Sequence, residues 1–145
     1  MSQLLLMCMI AGRRAGIPAQ AVQSVIEIED ITPIPRTPPF IEGLTALRSQ
    51  ALTVISCTRA LGLDDDREAR GRRAAVVDIA GHLYALMVDE AFDVAMPLSD
   101  PATIPGGFGP GWEAVAQHMV ETEGGPALVI DIEALVRGPQ QARAA

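Results

Sequence analysis

The chain has 145 residues, 49% hydrophobic and 20% charged, with 18 acidic side chains against 11 basic ones and a formal net charge of -7. A chain of this length buries roughly 70% of the surface its unfolded form exposes, which supports one soluble domain, or two very small ones sharing a core, without a metal or a disulfide. The apolar fraction excludes disorder, the acid excess argues against nucleic acid or an anionic membrane as partner, and no apolar run reaches the ~20 residues that cross a bilayer.

In chain order, residues 4–10 are a continuous apolar run, too short for a typical helix, that reads as a buried strand closed by a glycine-bearing turn over residues 11–16. No positive charge precedes that run and Arg13 and Arg14 follow it, the wrong order for a secretory signal, so a cytoplasmic protein is expected. Residues 19–25 have the composition of about two helical turns, and Val25-Ile26-Glu27-Ile28-Glu29 then alternates with the period of a half-exposed strand. Pro33, Pro35, Pro38 and Pro39 exclude a helix interior or a central strand and predict a stiff, extended connector.

Two apolar segments, residues 40–48 and 51–57, flank a polar turn at Ser49-Gln50 and predict a hairpin. One helical turn closes at Gly62, and residues 64–73 are charged, carry no apolar anchor and read as a mobile loop. Residues 74–79 and 83–89 predict a further hairpin around Ala80-Gly81-His82, followed by a strand over 92–96 and a Pro/Gly-rich loop over 97–111. Strand-like residues 115–122 and 127–131 flank Gly124-Gly125-Pro126, and a helical stretch over 132–136 stops at Gly138-Pro139. Residues 1–138 are expected to fold as a unit and 139–145 to form a flexible tail. Many short strands with helices only as single turns predict a mainly-β barrel or sandwich.

No catalytic constellation is legible. His82 reads as a surface turn residue and His118 as a half-buried strand residue, neither with metal spacing. Cys8 and Cys57 lack CxxC spacing and read as two small buried thiols, with the reduced and bonded states both open. Gly106-Gly107-Phe108-Gly109-Pro110-Gly111 has no lysine and reads as loop; Asp64-Asp65-Asp66 lacks the alternating ligands of a calcium site. No enzyme activity, cofactor or metal is expected, and abundant apolar strand surface suits a protein-binding module.

The order of segments resembles the chemotaxis coupling protein (CheW) family. Gly16-Ile17-Pro18, Val22 to Ile26, then Pro35, Pro38, Phe40, Gly43, Leu47 and Arg48 follow the family's "P-x-x-P-x-F-x-x-G-hydrophobic-x-x-L-R-G" region. Leu86-Met87-Val88-Asp89 with Val94 is similar to its "G-L-hydrophobic-V-D-x-V-x-x-V", and Leu128 to Val136 to its closing "hydrophobic-L-D-x-x-x-L-L". The resemblance implies two packed five-stranded SH3-like β-barrel subdomains with a few short helices and a shared core. It also implies a scaffold that bridges chemoreceptor cytoplasmic tips to the regulatory domain of a CheA-type histidine kinase, recruited to membrane-associated receptor arrays and monomeric when isolated. By resemblance the partner-contacting residues are Val22, Arg48, Ala91 and Val94. Core packing is the competing role for Val22 and Val94. For Arg48 it is an internal ion pair, with Glu27 or Glu42.

Departures from the pattern are Ser24, Ala46, Ser49, Thr53 and Ser56, where the family commonly has Glu, Asn, Gly, Pro and Asp. They cluster at the implied receptor groove and suggest altered partner choice. Two other readings stand beside coupling: a module that binds or sequesters the kinase alone, and a small-ligand-binding barrel using Asp89, Asp131 and His82.

Overall fold

The computed structural model describes residues 3–139, in which ten strands are interleaved with three short helices. In chain order these are β1 (Leu5–Ile10), β2 (Arg13–Pro18), a 3-10 turn (Ala19–Ala21), β3 (Val22–Glu27), β4 (Ile41–Leu47), β5 (Gln50–Ser56), α1 (Cys57–Ala60), β6 (Arg73–Ile79), β7 (His82–Met87), β8 (Glu90–Ala95), α2 (Pro110–Val115), β9 (Ala116–Thr122), β10 (Gly125–Ile130) and α3 (Ile132–Arg137). Of the expected tail, residues 140–145 lie outside the described part of the chain.

The strands make two five-stranded sheets, ordered β8-β1-β2-β10-β9 and β3-β6-β7-β5-β4. Each contains one parallel pair, β2 with β10 and β5 with β7, and is otherwise antiparallel. The two orders are one plan: replacing β3 to β7 by β8, β9, β10, β1 and β2 converts the second sheet into the first. The first sheet therefore takes its last two strands from the N-terminus. The helices follow suit, since α1 leaves β5 and α3 leaves β10, and the two touch.

Each sheet curls almost into a barrel and stops short of full closure in the same way. Beyond β3, Thr32 exchanges both backbone hydrogen bonds with Leu44 of β4, each 2.8 Å. Beyond β8, Ala102 does the same with Met119 of β9, each 2.9 Å. Such a bridge satisfies part of each otherwise bare edge, and on β9 the Leu98 amide adds a bond to the Glu121 carbonyl at 2.7 Å. These are the two five-stranded subdomains that the resemblance implies.

The main core lies between the sheets. It joins Leu6, Cys8, Ile10 and Ile17 of the first sheet to Ile55, Val77 and Leu86 of the second, with Trp112 and Leu135 from the helices. Each sheet also keeps a cluster of its own, Leu5, Met7, Val120 and Val129 in the first, and Ile28, Leu52, Val54, Val76 and Met87 in the second. The alternation of strand side chains explains this: Leu5 and Met7 point to one face and Leu6 and Cys8 to the other.

Three local expectations give way. The expected helix over residues 19–25 is a single 3-10 turn, because Val22 already pairs with Val77 in β3 and its ladder bonds outweigh weak helix propensity. The loop over 64–73 is anchored: Ala69 is buried in the second sheet's cluster, and the Gly71 amide bonds to the Ile28 carbonyl at 2.7 Å. The loop after β8 ends earlier than expected, with Pro110 starting α2, where a proline lacks no bond that the helix needs.

Gly43 sits at the bridge that curls the second sheet. Its φ is +147°, and a Cβ there would collide with the Thr32 carbonyl. We expect Gly43→Ala to lower stability by about 2 kcal/mol or more, with loss of hydrogen-exchange protection at the Thr32 and Leu44 amides; unchanged denaturant midpoint and protection would contradict this account of closure.

Candidate partner-binding surfaces

Strand order determines which side chains face outward. β3 and β4 end the second sheet and β8 and β9 the first, so Val22, Ala91 and Val94 all lie on end strands. Val22 opens β3 half-buried, opposite Val77, and packs on the rim of the main core. Ala91 of β8 lies opposite Cys8 and packs on the same rim.

A β-bulge sets the direction of Val94. Leu6 pairs with Val94 and Cys8 with Ala91, so two steps along β1 match three along β8. The extra residue brings Ala91 and Val94 to one face, where regular alternation would separate them. Ala91 is partly covered, while Val94 stands 50% exposed and is followed by exposed Met96 and Leu98. β8 touches β6, the partner strand of Val22, so the three apolar candidates flank the junction of the two sheets. Met96 and Leu98 were not singled out from sequence, where they adjoin a Pro-rich loop; their every-second-residue spacing with Val94 is the signal that would have found them.

Arg48 occupies the exposed tip of the β4–β5 hairpin; the curl of the second sheet brings β4 back to the segment after β3 through the Thr32–Leu44 bridge. Arg48 and Ser49 have φ of +52° and +71°, so the turn lies one residue earlier than Ser49-Gln50. The same left-handed pair recurs at Ala11-Gly12 and Ala80-Gly81, where glycine fills the second position. Arg48 makes no ion pair among the described residues. Glu42 instead pairs with Arg59 at 3.0 Å, and Glu27 forms no ion pair with Arg48.

The strongest electrostatics lie where the chain crosses from β7 to β8. Asp65, buried, accepts from the Arg67 amide and Nε at 3.0 Å each and from Arg72 Nη1 at 3.1 Å. Asp89 accepts from Arg67 Nη2 at 2.7 Å through Oδ1 and from the Gly12 amide at 3.0 Å through Oδ2, with Arg72 Nη2 3.5 Å away. Burial raises the Asp65 pKa, but the hydrogen bonds from Arg67 and Arg72 outweigh it and hold the carboxyl down at about 2. The same bonds, to Asp65 first and then Asp89, raise the Arg67 pKa.

Both cysteines are buried free thiols in the main core. Burial, with the charge of Asp89 adding to it, pushes Cys8 up to about 12; burial, then Cys8, raises Cys57. Such thiols are inert toward exchange at neutral pH. His82 is exposed at the start of β7 and His118 half-buried on β9. Asp89 is taken up by its ion pairs and Asp131 accepts from the Glu133 and Ala134 amides as the N-cap of α3. Among the described residues no three metal-capable side chains gather, and no helix is long and apolar enough to cross a membrane.

Two outcomes follow from this geometry. The depressed Asp65 pKa means stability gained above an unfolded pKa near 4 and lost as pH falls toward about 2, so Asp65→Asn should cost about 2 kcal/mol at pH 7 and little at pH 2, read from urea midpoints. Ser49→Gly, which removes a side chain from a left-handed position, should raise stability by about 0.5–1 kcal/mol; a destabilised variant would show that Ser49 is held by something other than backbone geometry.

Residues 4–140 match the family model for the CheW-like domain. Protein FrzA of Myxococcus xanthus is 29% identical over 108 residues, covering 74% of this chain and 65% of FrzA, just under two thirds of that relative's length. Chemotaxis protein CheW of Thermotoga maritima is 25% identical over 118 residues, covering 79% of this chain and 75% of that protein. The crystal structure of the scaffolding protein TtCheW from Thermoanaerobacter tengcongensis superposes with a TM-score of 0.76 over 90% of both chains at 24% identity, a likeness of fold. Two like-built sheets around a shared core, and a family match that runs from the first strand past the last helix, place this chain in the CheW-like domain family.

Proposed function

We propose that the chain is a non-enzymatic coupling scaffold that holds chemoreceptor cytoplasmic tips and the regulatory domain of a CheA-type histidine kinase in one assembly in the cytoplasm, at membrane-associated receptor arrays. The observation that carries this reading is the exposed apolar run Val94, Met96 and Leu98, along and just beyond the end strand β8, in a chain of a scaffold family. Isolated monomers rarely leave such a run bare along an end strand, and a partner surface is the physical reason to keep one.

In this reading Val22, Ala91 and Val94 form an apolar contact at the sheet junction suited to a receptor helix. Arg48, which makes no ion pair among the described residues and sits on a left-handed two-residue turn, supplies a charged contact. Signal passes as altered geometry of the docked assembly, with no bond made or broken. Isolated, the chain is a monomer whose affinities are modest and rely on high local concentration in the array.

A second reading, kinase binding without receptor coupling, is favoured by Arg48 itself. The position where the family commonly has a glutamate is Ser24, exposed on β3, and the arginine stands alone on its turn. The deciding experiment is calorimetric titration of the chain with a kinase regulatory domain and, separately, with a receptor-tip fragment, comparing wild type with Arg48→Ala and Val94→Glu. Coupling predicts binding to both, with at least one variant weakening the receptor arm about tenfold and leaving the kinase arm intact. Kinase binding alone supports sequestration, and binding to neither overturns both and returns attention to a small ligand.

A further inference from the structure

A second surface, at the far end of the first sheet, has a different chemistry. Arg59, Arg67, Arg70 and Arg72 each have a carboxylate within 3.6 Å. Arg13 and Arg14, at the start of β2, make no ion pair among the described residues and stack on rings instead. The Arg13 guanidinium lies 4.7 Å from the centre of Phe108, and that of Arg14 lies 5.5 Å from Phe92. Arg14 also fills the space that a Cβ at Gly124 would occupy, so its guanidinium packs against the β9–β10 turn.

Stacking covers the flat face of a guanidinium and leaves its N–H edge free to meet a planar acceptor. Both arginines border a cavity of about 330 Å³ floored by Met119, Leu128 and Pro126 and walled by Phe108. The cavities beside Glu113, Asp100 and Asp64 each carry a carboxylate; the ionisable groups at this one are both cationic. In a chain of net charge -7, two adjacent arginines held by aromatic rings and left without carboxylates are a local reversal of sign.

We propose that this end of the first sheet is a docking site for an acidic peptide segment of a partner protein, whose carboxylates meet Arg13 and Arg14 while one apolar side chain enters the cavity. Charge complementarity selects the occupant: Arg forks bind carboxylates in two-pronged fashion, and the apolar floor adds an anchor that a bare anion lacks. The site is built from the start of β2 with β9 and β10, whereas Arg48 lies on the β4–β5 hairpin of the other sheet.

The test is fluorescence anisotropy with a labelled peptide in which one leucine is flanked on each side by two glutamates, against the same peptide with glutamines, and against octanoate as a competitor. We expect binding of the glutamate peptide only, weakened by salt, and reduced about tenfold or more by Arg13→Gln with Arg14→Gln. The double lysine variant, which keeps charge but loses the planar fork, should fall between, and it decides the matter should the glutamine variant fail to fold. Equal binding of both peptides, an unchanged affinity in the lysine and glutamine variants, or no binding at millimolar peptide overturns the proposal. Octanoate binding without peptide binding overturns it in favour of a small carboxylic acid. The double glutamine variant should leave the receptor-tip and kinase-domain titrations unchanged, which separates this result from that of the coupling experiment.

Discussion

The carboxylate of Asp89 is bonded to both halves of the molecule at the point where the chain passes between them. Its Oδ2 takes the Gly12 amide in the β1–β2 turn, its Oδ1 takes Arg67, and its own amide donates to the Met9 carbonyl at 2.8 Å. Asp65 holds the far side of the same arginine pair. Apolar contact between the sheets has no direction, whereas these bonds fix one relative placement. The cluster is half-shielded and fully partnered, the condition under which buried charge specifies structure rather than merely costing energy. Everything said of the sheet junction, with Val22 on one side and Val94 on the other, depends on that placement.

The two sheets are built alike, yet their surfaces are not. The bridge after β3 comes within five residues of the strand's end; the segment after β8 meets β9 first at Leu98, whose amide donates to the Glu121 carbonyl at 2.7 Å, and again at Ala102, before it continues to α2. Met96 and Leu98 stay exposed on this return although the Leu98 backbone is bonded to β9, because their side chains project from a segment paired on one side only. Exposure therefore falls on the copy of the plan whose return segment carries large apolar side chains.

Much of the fold was legible in the amino acids. Ala11-Gly12 and Ala80-Gly81 mark their hairpins because a left-handed pair favours glycine, and Asp131 caps α3 where the apolar spacing changes period. The failures have equally local causes. Arg48-Ser49 makes the same turn without glycine, which displaced the expected hairpin tip by one residue. Residues 64–73 look solvated because each charge is read singly, and only the fold reveals that Asp65 is shared by Arg67 and Arg72. The positions of Val22, Ala91 and Val94 came from family resemblance, but their common location came from pairing: no periodicity in the sequence places residues 91 and 94 on one face, since a bulge is a property of two strands. Arg13 and Arg14 were read only as a charge signal against secretion, because their ring partners lie far away in sequence.

The provenance of the strands bears on how the chain is born. Residues 22–87 contain all five strands of the second sheet in one continuous stretch, so that sheet has its full complement once Met87 has emerged. The first sheet needs β10 beside β2, a parallel pairing of residues more than a hundred positions apart, such as Ala15 with Leu128. During synthesis the N-terminal hairpin waits, with the apolar run from Leu5 to Ile10 lacking its neighbours, until the last strand arrives. The β1–β2 hairpin is thus made before the second sheet and buried after it, so an apolar strand stays exposed through most of the domain's synthesis.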